Sequence, residues 1–230
     1  HASHPTPSGV RGIITCVTRR CEPGQRPPPS HPESLTALVL AGGGSRRMGR
    51  DKLSLERGGQ TLLSVVVAGV DAAFASGGHR PNIVVVGPQR QHLAHGRWVC
   101  EEPPGGGPVA GIAAGLNEVS TPWVALLAGD APHGPRALPV LWSVAGSLGV
   151  DIDGVCVQGS DGRTQPLCGI YRRGQLREAV GSLDAVAGAA VRSLFGHLRI
   201  ITVADQWAAA DDIDEPADAQ RAGFDWVDRG

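Results

Sequence analysis

The segment Leu40-Ala41-Gly42-Gly43-Gly44-Ser45-Arg46-Arg47-Met48-Gly49-Arg50-Asp51-Lys52 sets three consecutive glycines before four basic side chains, which fall within the seven residues Arg46 to Lys52. Without a Cβ, glycines let a chain turn tightly and bring its N–H groups against an anion, and the basic side chains add charge. That is equipment for a polyphosphate. Two familiar phosphate loops do not fit it. Arg47 stands where the dinucleotide fingerprint G-x-G-x-x-G, counted from Gly42, needs its third glycine, and Arg50-Asp51 replace the Lys-Ser/Thr pair of Walker A. A solvated surface loop is the plainer reading. The position of the glycines at the end of a first strand, where open α/β sheets bind ligands, argues against it.

A carboxylate could serve the same site. Asp130 closes the apolar run Ala125-Leu126-Leu127-Ala128-Gly129, which places it at the strand-end rim shared with the glycine loop. Such an acid can bind Mg2+ against a triphosphate, and capping the next helix is its ordinary alternative role. A second acidic run, Asp211-Asp212-Ile213-Asp214-Glu215-Pro216, precedes the last helical segment. Acids there are also favoured by capping and by the helix dipole. His92 and His95 share a helix-like spacing without an evident third ligand, and they are assigned nothing.

These residues need a scaffold. From Leu35 onward, short β-branched runs alternate with alanine-rich segments of helical length, the pattern of βαβ units in a mostly parallel sheet. The candidate strands are Thr36 to Ala41, Asn82 to Gly87, Arg97 to Glu101, Trp123 to Ala128, Gly154 to Gln158, Pro166 to Tyr171 and Leu198 to Val203. The candidate helices are Thr61 to Ala75, Pro108 to Val119, Pro135 to Ser147, Arg173 to Ser182 and Glu215 to Ala222. The turn-rich Gly159 to Arg163 predicts a hairpin that makes the sheet mixed. Residues 1–33, rich in Pro, Ser, Arg and His, read as a flexible leader before a single domain over 34–227.

With 41% hydrophobic and 19% charged residues and a net charge of −1, the chain has no polybasic surface for nucleic acid or anionic lipid. No apolar run approaches the roughly 18 to 20 residues of a membrane span, and the expectation is a cytoplasmic protein. Cys100, Cys156 and Cys168, without C-x-x-C spacing, read as reduced, buried thiols.

The Leu40 to Lys52 segment resembles the L-A-G-G-x-S-x-R-M-G-x-D-K signature of nucleotidyltransferases with the nucleotide-diphospho-sugar transferase fold, most closely that of molybdenum cofactor guanylyltransferases. The likeness continues through Pro104 to Gly111, Gly129 to Pro132, Gln165 to Leu167 and Asp212 to Pro216. It implies a Rossmann-like three-layer αβα sandwich with a mostly parallel mixed sheet. It also implies an Mg2+-dependent transfer of GMP from GTP to the phosphate of molybdopterin, releasing pyrophosphate. On this resemblance Leu40, Ala41, Gly42, Gly43 and Gly44 hold base and phosphates, while Arg47 and Lys52 neutralise the triphosphate. Asp51 orients its neighbours or caps the next turn.

Asp130 takes the family's G-D-x-P metal-ligand position. Asp214, with Asp212 as the alternative, becomes a second ligand where relatives carry asparagines. Glu102 aligns with an acid in guanine contact, with Glu101 as the alternative; a carboxylate accepts both N1–H and the exocyclic amine of guanine. Thr164-Gln165-Pro166-Leu167 resembles an acceptor-site motif, and Arg192 is a candidate for the acceptor phosphate. The expected partners are GTP and molybdopterin, in a monomer or weak homo-oligomer with transient contact to molybdoenzymes or their chaperones. CTP, another phosphorylated acceptor, or a nucleotide-binding role without turnover are the alternatives.

Overall fold

The computed structural model describes residues 14–15, 35–43, 48–77, 80–90, 93 and 95–227. Strand β2 (Leu35–Leu40) is apolar on both sides, as a strand covered by helices on both faces must be. Leu35, Ala37 and Val39 enter one core and Leu38 the other. It pairs in parallel with β5 (Asn82–Val86) on one side and β7 (Trp123–Ala128) on the other, and β6 (Arg97–Val99) continues beyond β5. Past β7, strand β9 (Thr164–Arg172) runs antiparallel to both β7 and β8 (Gly154–Gln158). Strand β10 (Ile200–Ala204) and the two-residue β1 (Ile14–Thr15) then complete an eight-stranded sheet of order β1-β10-β8-β9-β7-β2-β5-β6.

Helices α1 (Leu62–Phe74) and α3 (Leu138–Ala145) pack on one face of the sheet with Ala219 of α6 (Pro216–Arg221). Helices α2 (Pro108–Leu116), α4 (Arg173–Gly181) and α5 (Val191–Phe195) cover the other. The result is the expected three-layer αβα sandwich with a mixed, mostly parallel sheet. Among the described residues no helix is long and apolar enough to cross a membrane.

Several elements differ from the sequence expectation. Pro139 has no N–H to reach back one α-turn, and the expected helix from Pro135 opens instead as a 3-10 turn over Gly134–Ala137 before α3. Strand β6 ends at Val99, two residues early, and Cys100 is exposed where a buried thiol was expected. Helix α5 and the hairpin of β3 (Glu56–Arg57) and β4 (Gln60–Thr61) have no counterpart among the expected elements. The hairpin turns on Gly58 and Gly59, both left-handed at φ 59° and 78°. Of residues 1–33 only Ile14 and Thr15 are described, paired with Ile201 and Thr202 at the sheet edge; the rest of the leader expectation lies outside the described residues.

The chain leaves β2 toward β5 on one side and returns to β7 on the other, so strand order reverses at β2. Ligands of open α/β sheets bind in the crevice at such a point, outside the carboxyl ends of the strands.

Candidate active site

The register that pairs Leu40 with Ala128 puts the residues following β2 beside those following β7. Gly129 N donates to Leu40 O at 2.9 Å and Ala41 N to Val86 O at 2.7 Å, which fixes the first residues of the glycine loop between β5 and β7. Gly87, at φ 140°, lets this happen: a Cβ there would lie 2.7 Å from the Ala41 carbonyl carbon and 2.8 Å from Gly42 N. Ala41 is buried, while Gly42 and Gly43 are exposed at the mouth. Gly44 and Arg47 lie outside the described residues.

After the loop, Asp51 caps the 3-10 turn Lys52–Ser54 by accepting from Leu53 N at 3.3 Å, as its expected capping role requires. That turn aims Lys52 inward. Its Nζ lies 2.5 Å from Asp130 Oδ2 and 2.7 Å from Asp214 Oδ1. Burial disfavours the ammonium, but the Asp130 and Asp214 carboxylates outweigh it and hold Lys52 above its ordinary pKa. The acidic run reaches this point because Ile213 N donates to Asp130 O at 3.0 Å and Asp218 Oδ2 accepts from the N–H groups of Asp214 and Glu215 at 3.1 and 2.8 Å.

Asp212 joins Asp130 and Asp214, with ligand oxygens of all three within 4.8 Å of one another. Burial, then the Asp214 and Asp130 charges, push its carboxyl above the usual carboxylate range. A set of three hard oxygen donors suits Mg2+ in chemistry and charge. The sequence had left Asp212 and Asp214 as alternatives; the fold brings both to Asp130.

The two glutamates after β6 separate. Glu102 is exposed, whereas Glu101 is buried, its Oε1 accepting from Gly105 N at 3.1 Å and lying 3.7 Å from where a Cβ on Gly42 would be. With the strand ended at Val99, pleat alternation no longer decides which neighbour faces in. The carboxylate that lies against the glycine loop is thus Glu101, and Glu102 stands exposed.

Beside the carboxylates opens a cavity of about 640 Å3 lined by His133, Gln165, Asp211, Asp212, Asp218 and Arg221. His133 is held below its ordinary pKa by burial, then by Arg136 and Arg57, against an opposing Asp211. Pro166 falls where the β8–β9 register shifts, between Cys156 and Val157, a place where a strand tolerates proline. Arg192 is exposed on α5, which packs with α2 and α4. His95 stands in a bend, not a helix, and pairs with Asp71 at 2.7 Å. Arg90, which no motif marks, grips Asp51.

A model of the MobA-like NTP transferase domain matches residues 37–201. Among curated proteins, the chain is similar to a probable molybdenum cofactor guanylyltransferase of Opitutus terrae, 31% identical over 191 residues, 77% of this chain and 89% of that protein. It is also similar to one of Nostoc sp., 38% identical over 146 residues, 61% of this chain and 67% of that protein. Among solved structures it resembles molybdopterin-guanine dinucleotide biosynthesis protein A from Archaeoglobus fulgidus, with TM-score 0.62 at 19% identity over 82% of this chain and 96% of that one. A 2-C-methyl-D-erythritol 4-phosphate cytidylyltransferase from Thermus thermophilus gives TM-score 0.54 at 18% identity over 81% and 96%.

Proposed function

The chain belongs to the MobA-like NTP transferase family and is a nucleotidyltransferase, and on that premise we propose that it transfers GMP from GTP to the terminal phosphate of molybdopterin. The observation that carries this reading is the meeting of Lys52, Asp130, Asp212 and Asp214 at the strand ends that also bear the glycine loop. The names of the curated relatives, probable molybdenum cofactor guanylyltransferases, support a guanylyl donor and a molybdenum cofactor acceptor.

An oxygen of the acceptor phosphate attacks the α-phosphorus in line. The bond from that phosphorus to the bridging oxygen breaks, and pyrophosphate leaves. The attacking oxygen is already anionic, so no protein nucleophile or general base is called for. The residues position the reactants and stabilise charge, which is most of what phosphoryl transfer asks of a protein. Lys52 and, by the family resemblance, Arg47 offset the triphosphate charge, and the exposed Gly42 and Gly43 offer backbone N–H groups to its oxygens. Asp130, Asp212 and Asp214 would hold Mg2+, which supplies Lewis-acid polarisation of the phosphate when bound.

Glu101 serves as the base-reading carboxylate, since it is buried against the loop and a carboxylate has lone pairs left beyond the bond from Gly105 N. The cavity lined by His133, Gln165 and Arg221 is the proposed acceptor side. Titration with each of the four nucleoside triphosphates in the presence of Mg2+ tests the reading: GTP should bind most tightly, and a preference for CTP would replace guanylyl with cytidylyl transfer.

A further inference from the structure

Arg90 lies three residues past Gly87, in the segment after β5, with its side chain 17% exposed. All three guanidinium nitrogens are engaged. Nε and one terminal nitrogen donate to Asp51 Oδ2 and Oδ1 at 2.6 and 3.2 Å; the other donates to the carbonyls of Ala41 and Pro88 at 2.8 and 3.1 Å. Ala41 is where the chain enters the glycine loop. Asp51 is where it leaves, one residue before Lys52 and as the cap of the turn that aims Lys52.

We propose that Arg90 is a positioning residue that clamps the two ends of the phosphate loop together and so sets Lys52 against the triphosphate. The inference rests on the nucleotidyltransferase reading of this site. The planar fork of an arginine is suited to the task because it can hold a carboxylate with two parallel bonds and still reach two carbonyls, whereas a lysine is a point charge without that geometry. Asp51 and Ala41 are 39 and 49 residues away in sequence, so the clamp crosses from the segment after β5 to both ends of a loop that follows β2. Through Asp51 the chain of contacts runs on to Leu53 N, then to the turn carrying Lys52, then to Asp130 and Asp214. Small displacements at a reacting centre are costly in phosphoryl transfer, where positioning provides most of the catalysis.

The test compares the unmutated protein with Arg90→Gln, Arg90→Lys, Asp51→Asn and the Arg90→Gln/Asp51→Asn double variant, titrating each with GTP and Mg2+ and separately with guanosine. Loss of the clamp should weaken GTP by roughly tenfold to a hundredfold and guanosine far less, because Lys52, which the clamp sets, meets the phosphates and not the base. Arg90→Lys should fall with Arg90→Gln, and the double variant should be no worse than Arg90→Gln alone. A second arm needs no ligand: amide hydrogen exchange at Leu53 should quicken in Arg90→Gln. Equal loss of GTP and guanosine, additive losses in the double variant, or unchanged exchange at Leu53 would overturn the clamp. Should the unmutated protein bind no nucleotide, the nucleotidyltransferase reading falls, and the exchange arm alone decides whether Arg90 fastens the loop.

Discussion

Two adjacent glutamates show what a single residue can decide. If Glu101 reads guanine, Glu101→Gln replaces one acceptor by a donor facing another donor, and a mispaired buried group costs on the order of 1 to 3 kcal/mol. GTP affinity should then fall about tenfold to a hundredfold, while Glu102→Gln, on an exposed side chain, should leave it unchanged; titration of the two variants in parallel checks this. Sequence could name the pair but not choose within it, because the choice depends on β6 stopping at Val99. Lys52 and Asp130 were easier to single out, since each follows directly on an apolar strand or a glycine loop. Arg90 was invisible because Asp51 and Ala41, which it holds together, are remote from it in sequence.

His133 carries a residue-scale prediction of its own. With its folded pKa held below 6.5 by burial and by Arg136 and Arg57, the folded protein binds fewer protons there than the unfolded chain at pH values between the two. Stability therefore rises with pH across that window, levels off above about 6.5, and is lost as pH falls toward the lowered value. Replacing His133 by Gln should flatten that part of the profile. Denaturant midpoints measured between pH 5 and 8 check it, and an unchanged slope would mean another group sets it.

Among elements, the strands and the longer helices were legible because alternation and helical periodicity run through them over many residues. In β7, for example, Trp123, Ala125 and Leu127 enter one core while Val124 and Leu126 enter the other. Helix α5, with five residues, is too short to show a period, and the β3–β4 hairpin announced itself only by the Gly58-Gly59 pair. The elements meet most tightly where the glycine loop starts. At Gly87 an added methyl would strike the Ala41 carbonyl in a backbone conformation that L residues rarely adopt. Gly87→Ala should cost about 1 to 3 kcal/mol by overpacking and strain and should weaken GTP binding further by moving Ala41. Thermal melting and GTP titration of this variant check the two effects; a variant with parental stability and affinity would contradict the packing described here.

For the whole molecule, β9 running against both of its neighbours divides the sheet. The glycine loop and Asp130 belong to the parallel part on one side of it, and β8 and β10 lie on the other. The hairpin that reverses β9 was readable from Gly159 to Arg163, whereas the approach of the acidic run to Asp130, held by Ile213 N, was not, because it is a tertiary contact. The two cores on either face also predict a reactivity pattern. Cys156 and Cys168 sit in them with burial pushing both thiols up to about 12, while Cys100 is exposed. Only a thiolate reacts readily, so iodoacetamide followed by peptide mass analysis should label Cys100 in the native protein and reach Cys156 and Cys168 only on unfolding. Comparable labelling of all three in native conditions would mean that the cores open more readily than their packing implies.

The central claim is guanylyl transfer at the Lys52–Asp130 site, and pyrophosphate release measured with Mg2+, molybdopterin and each nucleoside triphosphate in turn tests it most directly. The account predicts release with GTP, a product carrying GMP joined through its phosphate to molybdopterin, and loss of about a hundredfold or more in Asp130→Asn at unchanged melting temperature. Release with CTP in preference to GTP, or turnover by Asp130→Asn near that of the unmutated protein, would contradict it.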